Sequence, residues 1–247
     1  MSSPPPPAVT ADPEPTHGVW SRAFQLAIPH GIVVGIQLPT EPGPIPHEVS
    51  QRLHPKERAA GLELSGARQI QWTGGRLALQ LALKRLRSRR QPFLSQPSGA
   101  VQAPQGLFAS VSHKRDLAVG LVGQEAAGSL GVDVETVIPE RNHLAPRILT
   151  PGELQRWQAL PEDRRWPVLL THFSIKESIY KALHPMVDRY VGFHEAELDL
   201  GPNGSAQVTL HLTQGEGPFE VQARYLWLDQ HLLTTARIRK VQPPPSR

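Results

Sequence analysis

The order in which periodic segments follow one another constrains this chain more than any single residue does. A β-branched run, GIVVGIQL (31–38), reads as a strand, and the loop from Pro39 to Pro46 holds four prolines. Two stretches with helical spacing come next, HEVSQRLHPKERAAGLEL (47–64) and ARQIQWTGGRLALQLALKRLRSRR (67–90). The second is interrupted at Gly74-Gly75, so that Arg76 opens a fresh apolar-periodic segment. ASVSHKRDLAVGLVG (109–123) reads as two short strands around a turn at Lys114 to Asp116. After the small, polar GQEAAG (123–128) the same order returns: a strand GSLGVDVETVI, helices over 151–184, and strands near 206–213, 217–228 and 231–239. The pattern predicts an α+β protein of two similar halves in tandem, over 17–123 and 124–241, with no residue-level repeat detectable. The flanking segments 1–16 and 242–247 are proline-rich and aperiodic, and are expected to be disordered tails.

At 247 residues and 39% hydrophobic content the chain can bury a real core. It has no apolar run of membrane-spanning length, and its first residues lack the basic and apolar regions of a secretory signal. A cytoplasmic protein acting as a monomer is the expectation. With zero cysteines, disulfides, thiolate nucleophiles and Cys-ligated zinc are excluded, so a metal would be held by oxygen or imidazole and hard cations are favoured. A net charge of +4 favours an acidic protein, a phosphate-bearing ligand or nucleic acid, and charge alone does not choose among them. The aromatic-basic pattern of RNA-binding modules is missing, and no nucleic acid or membrane partner is expected. The densest basic run, Lys84 to Arg90, ends a helical pattern, where cations are stabilised by the helix dipole.

FSIKESIYKAL (173–183) reads as a helix with an anomaly. At about 100° per residue, Leu169, Leu170, Phe173 and Tyr180 share one stripe, and Glu177 falls among them. Burying an ionised carboxylate there is costly unless a cation compensates it. Lys181 lies one turn further along the same edge, placed for an ion pair with Glu177 or for a phosphate. Lys176 borders the stripe and is expected to snorkel.

GVDVE (131–135) alternates strictly, so Val132 and Val134 take one sheet face and Asp133 and Glu135 the other. The acids' Cα atoms are about 7 Å apart, near enough to share a cation, although a strand showing its charged side to water has the same pattern. Ser112, His113 and Lys114 at a turn offer hydroxyl, imidazole and ammonium to a phosphate; as neighbours on a strand, Ser112 and His113 point to opposite faces, against a catalytic dyad. Arg68 and Arg76 lie eight apart, and Arg76 at the predicted helix start could meet an anion beside free N–H groups.

These residues together resemble a known family. GVDVE, then FSIKESIYKA about forty residues on, preceded by SVSHK and by R-x-x-x-W-x-x-G-x-R, are similar to the motifs of the 4′-phosphopantetheinyl transferases, in the branch of the surfactin- and enterobactin-synthetase transferases. The resemblance spans roughly residues 50 to 195. It implies two similar α+β halves related by a pseudo-two-fold, with coenzyme A and Mg²⁺ (or Mn²⁺ in its place) at their junction. The implied reaction moves the phosphopantetheine arm of coenzyme A to a serine of an acidic acyl or peptidyl carrier protein, releasing adenosine 3′,5′-bisphosphate. By motif, Asp133, Glu135 and Glu177 are the implied metal ligands, Lys181 meets the pyrophosphate, and Glu177 and Lys181 act in catalysis. Arg68, Arg76, Ser112, His113 and Lys114 are the implied nucleotide contacts. The segment with Ile138, Arg141, Leu144, Arg147 and Ile148 is the expected carrier contact. A metal-dependent nucleotide phosphohydrolase is the competing expectation.

Overall fold

The computed structural model describes residues 18–187 and 189–241, so both proline-rich tails, expected to be disordered, lie outside the described residues. The chain divides into two compact units between Ala127 and Gly128. The break falls four residues after the expected one, because the last strand of the first unit runs to Gln124 and a 3-10 turn, Glu125–Ala127, continues it.

In the first unit, strands β1 (Arg22–Ile28), β2 (Gly31–Gln37), β5 (Leu107–His113) and β6 (Leu117–Gln124) form an antiparallel sheet in the order β1-β2-β6-β5; β3 (Leu94–Ser95) and β4 (Val101–Gln102) make a separate ribbon. Helices α1 (His47–Ser50), α2 (Pro55–Leu62) and α3 (Gly66–Arg85) follow β2. The first helical stretch is therefore two helices: Pro55 bars a helical His54, which instead caps α2. The second stretch is one helix, unbroken at Gly74-Gly75. Gly74 serves contact with the sheet: a Cβ there would stand 3.0 Å from the Ala118 Cβ and collide with Leu38. Leu77, Ala78 and Leu79 of α3 pack with Val34, Ile36 and Leu38 in one buried cluster.

The second unit carries β7 (Ser129–Thr136), α4 (Ala145–Ile148), α5 (Pro151–Gln158), the long α6 (Glu162–Val187), and strands β8 (Ala196–Leu200), β9 (Ser205–Leu210), β10 (Phe219–Leu228) and β11 (His231–Lys240). Its antiparallel sheet runs β7-β11-β10-β9-β8. Ile175, Ile179, Ala182 and Leu183 of α6 pack with Leu198, Ala236 and Ile238. Further toward the N-terminus of α6, Trp166, Leu169 and Leu170 pack with Ala145, Ile148, Leu149 and Leu232.

The two units share one local hydrogen-bonding arrangement at a helix start. His54-Pro55-Lys56-Glu57 and Thr150-Pro151-Gly152-Glu153 each form a capping box at a helix start. Both glutamates are buried. Glu57 Oε1 accepts from Gln80 Nε2 at 2.8 Å and Glu153 Oε2 from Lys176 Nζ at 2.7 Å, each across 23 residues. Each glutamate also takes a backbone N–H from further along its unit, Phe93 for Glu57 and Leu198 for Glu153.

Candidate active site on β7 and α6

The alternation of β7 places Gly131, Asp133 and Glu135 on the face toward α6, while Val132 and Val134 are buried on the other. A Cβ on Gly131 would come within 2.8 Å of the Ser178 carbonyl carbon and 3.0 Å of the Ala182 N, so glycine is what lets the helix lie directly on the strand. Along this seam Ser174 Oγ donates to Asp133 Oδ2 at 2.8 Å. Thr234, paired opposite Asp133 on β11, donates its hydroxyl to the Ser174 carbonyl at 2.8 Å, and its Oγ1 is 2.7 Å from Ser178 Oγ. Lys181 Nζ donates to Asp133 Oδ1 at 2.8 Å and to the Val132 carbonyl at 3.0 Å.

Asp133 is only 4% exposed, so the reading of a strand showing that charge to water is excluded. Its burial is compensated by an ammonium on one oxygen and a hydroxyl on the other. Lys181 pairs with Asp133, where the sequence offered Glu177 or a phosphate. Glu177 itself is half-buried, on a flank of α6 with Phe173 and Tyr180, and this corrects the expectation that it sits inside the core stripe. The deeply buried face carries Ser174, Ile175, Ser178, Ile179, Ala182 and Leu183. Bulky apolar residues surround most of this helix, and the small residues that allow contact with the sheet select the inner face. Burial, with Glu177 adding to it, raises the Tyr180 pKa, and the Tyr180 hydroxyl donates to the Gly192 carbonyl at 2.8 Å.

Lys176 overturns a second expectation, for it does not snorkel: it is fully buried. Its ammonium donates to Glu153 Oε2, to the Ile148 carbonyl at 2.9 Å and to the Phe193 carbonyl at 2.9 Å, using all three protons. Burial pulls its pKa down and Glu153 opposes that shift. Glu153, Ser174 and Thr234 were not foreseen as parts of this region. The Thr-Pro-x-Glu capping signature was a legible signal for Glu153; nothing in sequence pairs Thr234 with Asp133.

The proposed metal ligands are not assembled. Among the described residues, no three His, Asp or Glu side chains are gathered where they could hold one metal ion. Asp133 has both oxygens engaged, and Glu135 is half-buried further along β7.

In the first unit, Arg68 is exposed in the opening turn of α3, and Arg76 lies in mid-helix, 2% exposed. The helix-start anion site expected at Arg76 therefore does not exist, since its N–H groups are inside a continuous helix. Arg76 Nε donates to the Phe93 carbonyl at 2.7 Å, and Nη2 to the Leu94 carbonyl at 3.1 Å and Ser95 Oγ at 2.9 Å. Its guanidinium stacks 4.6 Å from the Trp72 ring centre, and burial pulls its pKa down to about 10, with Glu57 opposing. Ser112 is buried and His113 exposed at the end of β5, on opposite faces as alternation requires, and Lys114 begins the turn to β6.

Within the second unit a cleft of about 480 Å³ is lined by Leu144, Arg147, Ile148, Phe173, Tyr190 and Phe193 among others. Three of the five residues expected to contact a carrier line it, and a fourth, Ile138, is 72% exposed. No helix among the described residues is long and apolar enough to cross a membrane.

Comparison with known proteins places this strand and helix within a transferase superfamily. Residues 129–236 match the 4′-phosphopantetheinyl transferase superfamily, and residues 63–123 match the 4′-phosphopantetheinyl transferase N-terminal domain. The 4′-phosphopantetheinyl transferase Svp of Streptomyces mobaraensis is 30% identical over 175 residues, which cover 69% of this chain and 70% of that protein. Enterobactin synthase component D of Salmonella typhi is 32% identical over 162 residues, 64% of each chain and so just under two thirds of that protein. The crystal structure of Thermotoga maritima holo-[acyl-carrier-protein] synthase is 24% identical with a TM-score of 0.38, covering 46% of this chain and 64% of that one. The chain belongs to the 4′-phosphopantetheinyl transferase superfamily.

Proposed function

We propose that this enzyme transfers the 4′-phosphopantetheine arm of coenzyme A to a serine of an acyl or peptidyl carrier protein and releases adenosine 3′,5′-bisphosphate. The observation that carries this reading is the buried Asp133 carboxylate held between Ser174 and Lys181 on the segment that matches the superfamily. In the reaction the serine oxygen bonds to the phosphorus nearest the pantetheine, and the bond from that phosphorus to the bridging pyrophosphate oxygen breaks. The serine proton goes to a carboxylate, for which Glu177 is the candidate, and the electron pair of the broken bond leaves with the bisphosphate. Lys181 would meet the pyrophosphate and offset its charge. In the first unit, Arg68, Ser112, His113 and Lys114 are the candidate nucleotide contacts, with Arg76 buried against β3 behind them.

Mg²⁺ is the cofactor the motif implies, with Asp133, Glu135 and Glu177 as its ligands, and it would supply charge neutralisation on the pyrophosphate. As they stand, these carboxylates do not fit that role, because Lys181 and Ser174 occupy both oxygens of Asp133 and, among the described residues, no three acids are gathered there. The half-buried cleft beside Phe173, with Arg147 at its wall, supports an acidic carrier docking there.

The test is a mass measurement on apo-carrier domains incubated with coenzyme A and Mg²⁺. Gain of a phosphopantetheine on the carrier serine is expected, and loss of nearly all of it in Asp133→Ala and in Glu177→Ala at unchanged circular dichroism. Bisphosphate released without a carrier would replace this reading by the hydrolase; full turnover in either variant would remove the site assignment.

A further inference from the structure

We propose that Glu153 and Lys176 form a positioning pair that fixes the roll of α6 about its axis and thereby the place of the Glu177 carboxylate; this rests on the transfer reading above. At about 100° per residue, with Ser174 at zero, Lys181 lies near −20°, Ser178 near 40°, Glu177 near −60° and Lys176 near −160°. The helix is held from nearly opposite sides. One clamp is the seam of Ser174, Ser178 and Lys181 against β7 and β11. The other is Lys176, whose three bonds reach the end of α4 at Ile148, the 3-10 turn at Phe193, and Glu153 of α5. Glu153 passes the constraint on, accepting from Thr150 N at 2.7 Å and Leu198 N of β8 at 2.6 Å. Glu177 projects from the flank between the two clamps. Its carboxylate stands about 6 Å from the helix axis, so a roll of about 10° would carry it roughly 1 Å.

The internal counterpart argues that position, and not stability, requires the charge. In the first unit the equivalent glutamate, Glu57, is met by a neutral amide, Gln80, which reaches two acceptors, Glu57 and the Gln91 carbonyl. Buried ion pairs are often replaceable by apolar groups without loss of stability. Lysine reaches three acceptors on three elements, and the residue that follows it is Glu177, where the residue after Gln80 is Leu81.

The experiment compares the full-length wild type with Glu153→Leu/Lys176→Met, which removes both charges together, and with Lys176→Gln, which copies the Gln80 arrangement. A lower melting temperature is expected in both variants, because buried backbone groups at 148, 150, 193 and 198 or the Glu153 carboxylate lose partners, so turnover is compared at a temperature where near-UV circular dichroism shows each variant fully folded. The transfer kcat should fall by about tenfold to a hundredfold while KM for coenzyme A changes by less than about threefold, since a displacement near 1 Å acts on the chemical step. Amide exchange at Glu177 and Ser178 should quicken at the same time. Unchanged kcat or unchanged exchange in a fully folded variant would overturn the proposal, and so would a loss of turnover that only tracks lost near-UV circular dichroism. If the wild type transfers nothing to any apo-carrier, the reaction assignment fails by itself, and the exchange comparison alone decides the positioning role. Should the double variant fail to fold, Lys176→Gln carries the same comparison.

Discussion

Gly131→Ala tests the packing on which the site depends. The new methyl would lie 2.8 Å from the Ser178 carbonyl carbon and 3.0 Å from the Ala182 N, both of them helix backbone that cannot swing aside as a side chain can. The Ser178 carbonyl oxygen is nearer still and would overlap the methyl, so restoring ordinary van der Waals separation requires α6 to withdraw by about 1.5 Å. The bonds of Ser174 to Asp133 at 2.8 Å, Ser178 to Thr234 at 2.7 Å and Lys181 to Val132 at 3.0 Å would then stretch beyond hydrogen-bonding range. Overpacking costs about 1 to 3 kcal/mol, and each lost hydrogen bond in this seam about 1 kcal/mol. The chain can share the strain between these terms, so a destabilisation of about 4 kcal/mol is expected, a drop of roughly 12 °C in melting temperature. Urea unfolding followed by tryptophan fluorescence measures it. A loss below about 1 kcal/mol would show that α6 slides over β7 without loosening, and would refute the tight seam.

Adjacent glycines of α3 should respond with opposite signs. Gly75→Ala meets only Val111 at 3.6 Å, an ordinary contact, and should stabilise by about 0.5 to 1 kcal/mol through helix propensity. Gly74→Ala meets the Ala118 Cβ at 3.0 Å and should destabilise; parallel urea titrations compare the two. A third test concerns acid. Arg189, together with the Gly192 and Thr213 N–H groups, holds the Glu195 carboxyl down to about 2 in the folded protein. Since this carboxyl titrates near 4.3 when unfolded, its contribution is complete above that pH and is lost as pH falls toward about 2. Glu195→Gln should therefore flatten the pH dependence of stability in that window, measured as urea midpoints at pH 5 and pH 3; an unchanged slope would contradict the assigned interaction.

Much of the architecture was legible because it rests on local physics. The turn at Lys114 to Asp116, the hairpin of β10 and β11, and the alternation of GVDVE follow from periodicity and turn chemistry that neighbouring residues carry. The break at His54-Pro55 was equally local, since proline restricts the residue before it, yet the helical spacing on either side masked it. Strands β1 and β8 were missed, although each pairs in a hairpin with the strand that immediately follows it, β2 and β9.

The sequence by itself settled the mixed helix-and-strand class, the absence of cysteine chemistry, and the motif residues through which the superfamily is recognised. Tertiary structure decided which side of each element faces inward. Gly74 and Gly75 looked like a helix break, yet the helix runs through both and Gly74 proved to be where it lands on the sheet, because the clash a Cβ there would meet comes from Leu38 and Ala118, distant in sequence. Lys176 looked like a solvent-reaching cation and lies at the centre of three elements, because its acceptors at 148, 153 and 193 are brought together only by folding. Periodicity reports how polarity is distributed around one element, whereas burial of a charge depends on whether distant groups arrive to compensate it.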